Sequence, residues 1–355
     1  LIVPVIFFSV TSGIAAIGDV QRLKRIGSKV VIVYFLMTVI ACIVGIVMVN
    51  ITHPGVGFTL DNMQAFDTSK VKTPSFVNFL FDMVPVNIVD SMAKNQIMQM
   101  IFFTVLVGVA LVSLGEKVAG VTKIFDQCAS IIYKMLDIVM LYSPIGVLAL
   151  MANTTAVFGP KLFGVLAKFV FTDWVGCLLI WFFFSGIVWL YTKVNYLEMC
   201  KSMIPIWVNT IATNSSAGTI PITLNVTTER LKVPMSIASF SIPLGATINL
   251  TGAALYKTIL AFFVAEIYGL QLTIDQILMV IIISTIMSIA APGIPGGGIV
   301  TGAIFLNLLG LPMDLMGPIA GMYRLIDMSH TTVNVSGDVL GTMLVAKNEN
   351  IWTGE

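Results

Sequence analysis

The sequence predicts an all-α integral membrane protein, and three observations carry that prediction. Of 355 residues, 57% are hydrophobic and only 10% charged, with a mean hydropathy of +0.97, whereas soluble domains carry about 25% charged residues. Charge-free runs recur along the chain, several of them as long as the roughly 20 residues that cross a hydrocarbon core. Two of these runs are interrupted in the middle by Gly, Pro and hydroxyl residues, which a lipid-facing helix does not tolerate. Nineteen basic against eighteen acidic residues leave a net charge of +1, which offers no electrostatic footprint for nucleic acid. Cys42, Cys128, Cys177 and Cys200 stand singly in apolar stretches without CxxC spacing. They read as small core or lipid-facing residues, not as disulfides or a metal knuckle.

The elements follow in order. Run 1–18 lacks the basic n-region of a signal peptide and reads as a spanning helix entered in mid-course, with more sequence expected upstream. Arg22, Lys24, Arg25 and Lys29 then place the next loop on the cytoplasmic side. Runs 30–60, 95–115, 138–160 and 174–192 read as spans, with 120–137 largely apolar as well. The middle of 202–228 reads NTIATNSSAGTIPIT, and the middle of 276–313 reads SIAAPGIPGGGIVTG. Broken backbone at membrane depth survives where it is buried or lines a cavity, so each run is expected to be a re-entrant helical hairpin with the breakers at its tip. Run 233–256 carries a polar break at ATINLTGA, and 315–346 carries DMSHTTVNVSGD. With both hairpins returning to their side of origin, Lys117, Lys123, Lys134, Lys193, Lys201, Arg230, Lys232 and Lys347 also fall inside. Lys70, Lys72, Lys161 and Lys168 fall outside.

Two halves, each with a Gly/Pro-interrupted segment followed by a polar helix, point to a secondary transporter built from inverted repeats, with its substrate between the hairpin tips. The last helix carries Arg324, Asp327, His330, Thr331, Asn334 and Asp338. At about 100° per residue, Thr331, Asn334 and Asp338 lie within about 40° of Asp327, and Arg324 and His330 about 60° to either side. Ionisable groups in a span are functional candidates. Bland readings exist for most of them. Arg324 and Asp327 can pair along the helix, Thr331 and Asn334 can join helices, His330 can be a buried hydrogen-bonded imidazole, and Lys257 can snorkel or pair. Asp338 is the hardest to dismiss, because a buried carboxylate must find a cation, a donor or a proton, and the break at Asn249 offers carbonyls for an ion.

Four segments resemble a known family: SSAGTIPIT (215–223), PLGATINLTGAALY (243–256), GIPGGG (293–298) and DMSHTTVNVSGD (327–338). They are similar, in family order from residue 1 through 347, to the dicarboxylate/amino acid:cation symporters, the glutamate transporter homologues. The resemblance implies a multi-pass plasma-membrane homotrimer working by an elevator mechanism. Residues 1–18 and 75–153 would be scaffold, and 26–50 and 162–347 the moving transport domain. Within that domain fall hairpin 1 (202–228), a broken seventh helix (233–258), hairpin 2 (276–310) and the last helix (313–346).

By the same resemblance Asp327 would bind a substrate ammonium, and Thr331 with Asn334 its α-carboxylate. Ser215, Ser216 and Gly218 from the first hairpin, with Gly293, Ile294, Pro295 and Gly296 from the second, would close the pocket. One sodium ion would take carbonyls of Gly245, Asn249 and Asn334 and the carboxylate of Asp338. Another would take carbonyls of Thr247, Ser288, Ile289 and Ala291. Three departures stand out. Thr251 replaces the family's aspartate of a third sodium site, and Met37 stands beside Thr38 where that site has a hydroxyl pair. The arginine that grips an acidic side chain falls at His330, and the archaeal-type hairpin arginine falls at Asn214. Two sodium ions are therefore expected, with a proton at His330 or Asp327 as the other coupling ion.

The expected function is sodium-coupled uptake of an amino acid, neutral or polar because an imidazole lacks the guanidinium fork. The alternative is an acidic amino acid (aspartate or glutamate) or a dicarboxylate, held by Arg324 or protonated His330 and proton-coupled. An intramembrane hydrolase on Ser215 or Ser216, His330 and Asp327 lacks any G-x-S-x-G or H-E-x-x-H pattern. An ion channel would conduct without substrate-stimulated uptake.

Overall fold

The computed structural model describes residues 2–15, 26–57, 83–94, 96–142, 161–289 and 296–352, with isolated positions between 81 and 159. These residues are all helical or in connecting turns. Helix α1 (Ile2–Val5) runs through a π-helical turn into α2 (Thr11–Ala15). Helix α3 (Ser28–Thr52) follows, ending where His53 turns left-handed at φ 45. Short α4 (Ile88–Ala93) starts at Asn87, whose side chain accepts from the amides of Val89 and Asp90, the usual work of an N-cap. Helix α5 (Ile97–Leu114) continues through a 3-10 turn into α6 (Ala119–Leu141), and α7 (Lys161–Thr192) is next.

A two-residue break at Asn214 and Ser215 separates α8 (Tyr196–Thr213) from α9 (Ser216–Asn225). Asn214 takes φ 52, and the Ser215 hydroxyl accepts from the Gly218 amide at 3.0 Å to cap α9. The Thr219 hydroxyl reaches back to Asn209 Oδ1 at 2.9 Å, so the two helices lie side by side. Helices α10 (Met235–Ile248) and α11 (Thr251–Ile267) are separated by Asn249 and Leu250, whose ψ values of 58 and 60 leave the helical region. Helices α12 (Ile274–Ile289) and α13 (Gly297–Leu308) flank residues 290–295. The last helix, α14 (Met316–Asn348), runs 33 residues.

Among the described residues, four stretches are long and apolar enough to cross a membrane: Ser28–Thr52, Gln99–Ile132, Leu162–Thr192 and Met235–Ile267. Their burial differs, and that difference organises the fold. The apolar window of the broken α10–α11 stretch is 94% buried, against 39% for α7. Polar breaks belong where no lipid reaches them, so the broken helix forms the centre and α7 an outer wall. Phe171, Leu178, Phe182 and Phe183 are exposed on α7. Helix α14 lies along α7 and against α8 and α10, while α3 lies along α11. Helices α1 and α2 pack on α5 and α6 instead, where the Phe7 ring lies 5.5 Å from that of Phe125.

One boundary differs from the sequence expectation. Run 174–192 is only the second half of a 32-residue helix, which accommodates Lys168 and Asp173 by giving each a partner. The Lys168 ammonium donates to the His53 carbonyl at 2.7 Å, and Asp173 turns into the core. Residues 143 and 144 and most of 150–160 lie outside the described residues, as do 58–80.

Candidate functional site

Helix α14 carries the site, and the two interrupted units meet it from opposite flanks. Asp327 is 8% exposed. Its Oδ2 accepts from the Gly296 amide at 3.1 Å, and the Tyr323 hydroxyl lies 3.5 Å from its Oδ1. Gly296, at φ 75, is the residue that opens α13. Two residues on, a Cβ at Gly298 would fall inside the Tyr323 hydroxyl, so only glycine lets α13 seat on this face. On the other flank the exposed Arg324 guanidinium donates to the Ala212 carbonyl at 3.2 Å, near the end of α8, where helix carbonyls favour a cation. The Asn214 amide donates to the Arg324 carbonyl at 3.1 Å. A cation and an anion one turn apart thus mark the two tips.

Between them, Ser215 and Ser216 open α9, with Ser216 and Thr331 buried. The first amides of a helix lack intrahelical acceptors and suit an anion. Asn334 caps another such start: its Oδ1 accepts from the Gly252 amide at 2.7 Å, so its amide donors point elsewhere. Gly293, Ile294, Pro295 and Ala291, all expected in the site, lie outside the described residues.

Below this level sits Asp338, 1% exposed, with the Asn249 amide donating to its Oδ1 at 2.9 Å. A Cβ on Gly245 would fall inside that carboxylate, so the glycine allows the acid to lie against the end of α10. The Asn249 Oδ1 and Thr251 Oγ1 are buried without partners among the described residues. A buried carboxylate with one donor, beside an unpaired amide oxygen and a broken helix end, fits a hard cation that takes oxygen ligands. The place of the family's third ion is filled differently. Around Gly337 meet the Asn249 amide, the Met37 methyl and the Thr251 hydroxyl, at 2.9, 3.1 and 3.6 Å from where a Cβ would stand. Thr38 spends its hydroxyl on the Tyr34 carbonyl at 2.9 Å. Of the second ion's set, Thr247, Ser288 and Ile289 are described. The fully buried Lys257 donates to the Ser288 hydroxyl and the Ala253 carbonyl, each at 3.2 Å.

His330 departs from its expected orientation. Its Nε2 lies 2.8 Å from Asp173 Oδ1 on α7, with side-chain exposures of 2% and 0%, and the Ser329 hydroxyl donates to Asp173 Oδ2 at 3.0 Å. Buried polar groups take partners, and for His330 Nε2 that partner is Asp173. Sequence reasoning passed over Asp173 because the scan for charge-free runs began one residue after it. A lone acid inside FVFTDWVGCLL was the available signal. Also missed was Tyr34, whose one hydroxyl hydrogen has the carbonyl oxygens of Ser241 and Asp338 within reach at 3.1 and 3.2 Å, which ties α3 to the ion level.

The model of the sodium:dicarboxylate symporter family matches residues 1–348. Similar curated proteins include a proton/glutamate-aspartate symporter of Escherichia coli (strain K12), 32% identical over 99% of this chain and 82% of that one. A proton/sodium-glutamate symport protein of Bacillus caldotenax is 29% identical over 100% and 85%. A C4-dicarboxylate transport protein of Bacillus subtilis (strain 168) is 30% identical over 99% and 84%.

Proposed function

We propose, because the chain belongs to the sodium:dicarboxylate symporter family, that it carries an acidic amino acid between its two interrupted units. It is a cation-coupled, multi-pass symporter of the plasma membrane and not an enzyme. The single observation that supports an acidic amino acid is the pair Arg324 and Asp327. They stand one turn apart on α14, one at the tip of the α8–α9 unit and the other at the start of α13. An ammonium fits Asp327, and an acidic side chain fits the guanidinium, which binds carboxylate in a fork. The amides that open α9 and the Asn334 side-chain amide suit the α-carboxylate. The expectation of a neutral substrate rested on His330, which is committed to Asp173. The named relatives are glutamate, aspartate and C4-dicarboxylate symporters, and Asp327 disfavours a dicarboxylate without an ammonium.

Sodium, held by Asp338 with carbonyls of Gly245, Asn249 and Asn334, would supply the charge that the buried carboxylate lacks. A second ion would take Thr247, Ser288, Ile289 and Ala291. Helices α1, α2, α5 and α6 would form the fixed scaffold of a homotrimer, and α3 with α7–α14 the part that moves. The division is supported by the separate packing of α1 and α2 on α5 and α6.

Competition for labelled L-aspartate in proteoliposomes tests the substrate. L-Glutamate should compete more strongly than L-serine, L-alanine or succinate. Arg324→Ala should weaken aspartate relative to the unmodified chain, because its side-chain carboxylate then loses the guanidinium fork. Stronger competition by serine or alanine would restore the neutral reading.

A further inference from the structure

The fold holds a buried ionisable pair that neither the substrate groups nor the sodium ligands use. His330 Nε2 meets Asp173 Oδ1 at 2.8 Å, and the Ser329 hydroxyl donates to Asp173 Oδ2. With Asp173 ionised the ring presents Nε2–H to it, and that tautomer leaves Nδ1 as a bare lone pair. Nδ1 is buried without a partner among the described residues. In this form the pair carries one negative charge. The nearby cations face elsewhere: Arg324 donates to Ala212, and Lys257 to Ala253 and Ser288. A net charge inside a membrane domain is costly to hold and to move. One proton on Nδ1 makes an imidazolium opposite a carboxylate and brings the pair to zero.

We infer that the Asp173–His330 pair is the binding site of a coupled proton, loaded at His330 Nδ1. The inference rests on the reading of the chain as a cation-coupled symporter and adds the address of a coupling ion other than sodium. The groups around the pair supply a path. Helix α7 contributes Asp173 and Cys177. Helix α11 contributes Tyr256, with its ring 5.3 Å from His330. Helix α14 contributes Tyr323, 6.2 Å away, and Asp327 one turn earlier. Helix α8 sends Trp207 and Thr210 to Ser336 and Thr332 instead. The Tyr256 hydroxyl is, like Nδ1, buried without a partner, and it points at α13, 3.0 Å from where a Cβ on Gly302 would lie. The Tyr323 hydroxyl lies between Asp327 and Gly298. Both tyrosines therefore run from His330 to the face that α13 covers, so loading is gated by the same helix start that Asp327 holds. The step moves one proton from bulk water to Nδ1 and back to water on the other side, and no covalent bond in the chain breaks.

The chain has two histidines, His53 and His330, which makes a direct test practical. Nitrogen-15 NMR of the histidine-labelled full-length chain, with His53→Gln removing the other signal, reads each ring nitrogen without any substrate. The expected spectra, one in alkaline and one in acid buffer, have Nε2 protonated in both and Nδ1 bare in the first and protonated in the second. A bare Nδ1 at both pH values overturns the inference, as does a ring with Nδ1 protonated and Nε2 bare. Because no substrate is present, this outcome is independent of what the chain carries. In proteoliposomes containing a pH dye, labelled L-aspartate entry should acidify the lumen, and Asp173→Asn should abolish the acidification per aspartate carried. Undiminished acidification by Asp173→Asn also overturns it.

Discussion

Asp338 is held by one amide from Asn249 and pressed against Gly245, so its charge and its fit can be tested apart. Asp338→Asn keeps the shape and removes the charge. Sodium should then no longer raise the melting temperature of the purified protein, while choline controls stay unchanged. A full sodium-induced shift in that variant would move the ion elsewhere. Gly245→Ala keeps the charge and fills the approach. An extra methyl in a packed site costs about 1–3 kcal/mol, and here it should also cut sodium affinity, measured by sodium titration of aspartate binding. Asp327 and Asp338 were legible in the sequence, because an acid inside an apolar helix has few innocent explanations. His330 was legible as a polar residue on the stripe but not in its partner. A helical wheel gives an angle, whereas the partner comes from α7, some 157 positions earlier in the chain.

The interrupted elements were readable from composition, since Pro, Gly and hydroxyl residues inside apolar runs can only stand in protein-lined space. The break at Asn249 and the turn at Asn214–Ser215 fall where those residues predicted. The length of α7 was not readable, because Lys168 and Asp173 interrupt its hydropathy and their partners lie on α3 and α14. Two predictions belong to elements. Gly298→Ala puts a methyl into the Tyr323 hydroxyl, so α13 should fail to seat. Protease cleavage in 290–300 should then persist at aspartate concentrations that protect the unmodified chain, and equal protection would show that α13 seats another way. Lys257 is fully buried with a hydroxyl and a carbonyl as its partners among the described residues. Holding an ammonium away from water without a counter-charge is costly, so Lys257→Met should melt at a higher temperature. A lower melting temperature would show that the ammonium's two bonds outweigh its desolvation.

At the scale of the whole molecule, the interrupted helix and the buried ionisable groups gather at the centre while the outer helices expose apolar side chains, the inverse of a soluble surface. That inversion was legible from composition alone. The proposed division into a fixed and a moving part comes only from the family motifs, since nothing in periodicity says which helices would move. With Thr251 uncharged and a Met37 methyl beside it, a third sodium would be poorly compensated. Reversal-potential measurements should therefore give two sodium ions per substrate, and three would mean that other groups rebuild the site. The central claim is that a cation gradient drives an acidic amino acid through the space between Arg324 and Asp327. Accumulation of labelled L-aspartate in proteoliposomes, with an inward sodium gradient imposed and then collapsed by an ionophore, tests it most directly. Aspartate should accumulate above the external concentration and dissipate when the gradient does. Aspartate entry that never exceeds equilibrium, or accumulation indifferent to the gradient, would contradict it.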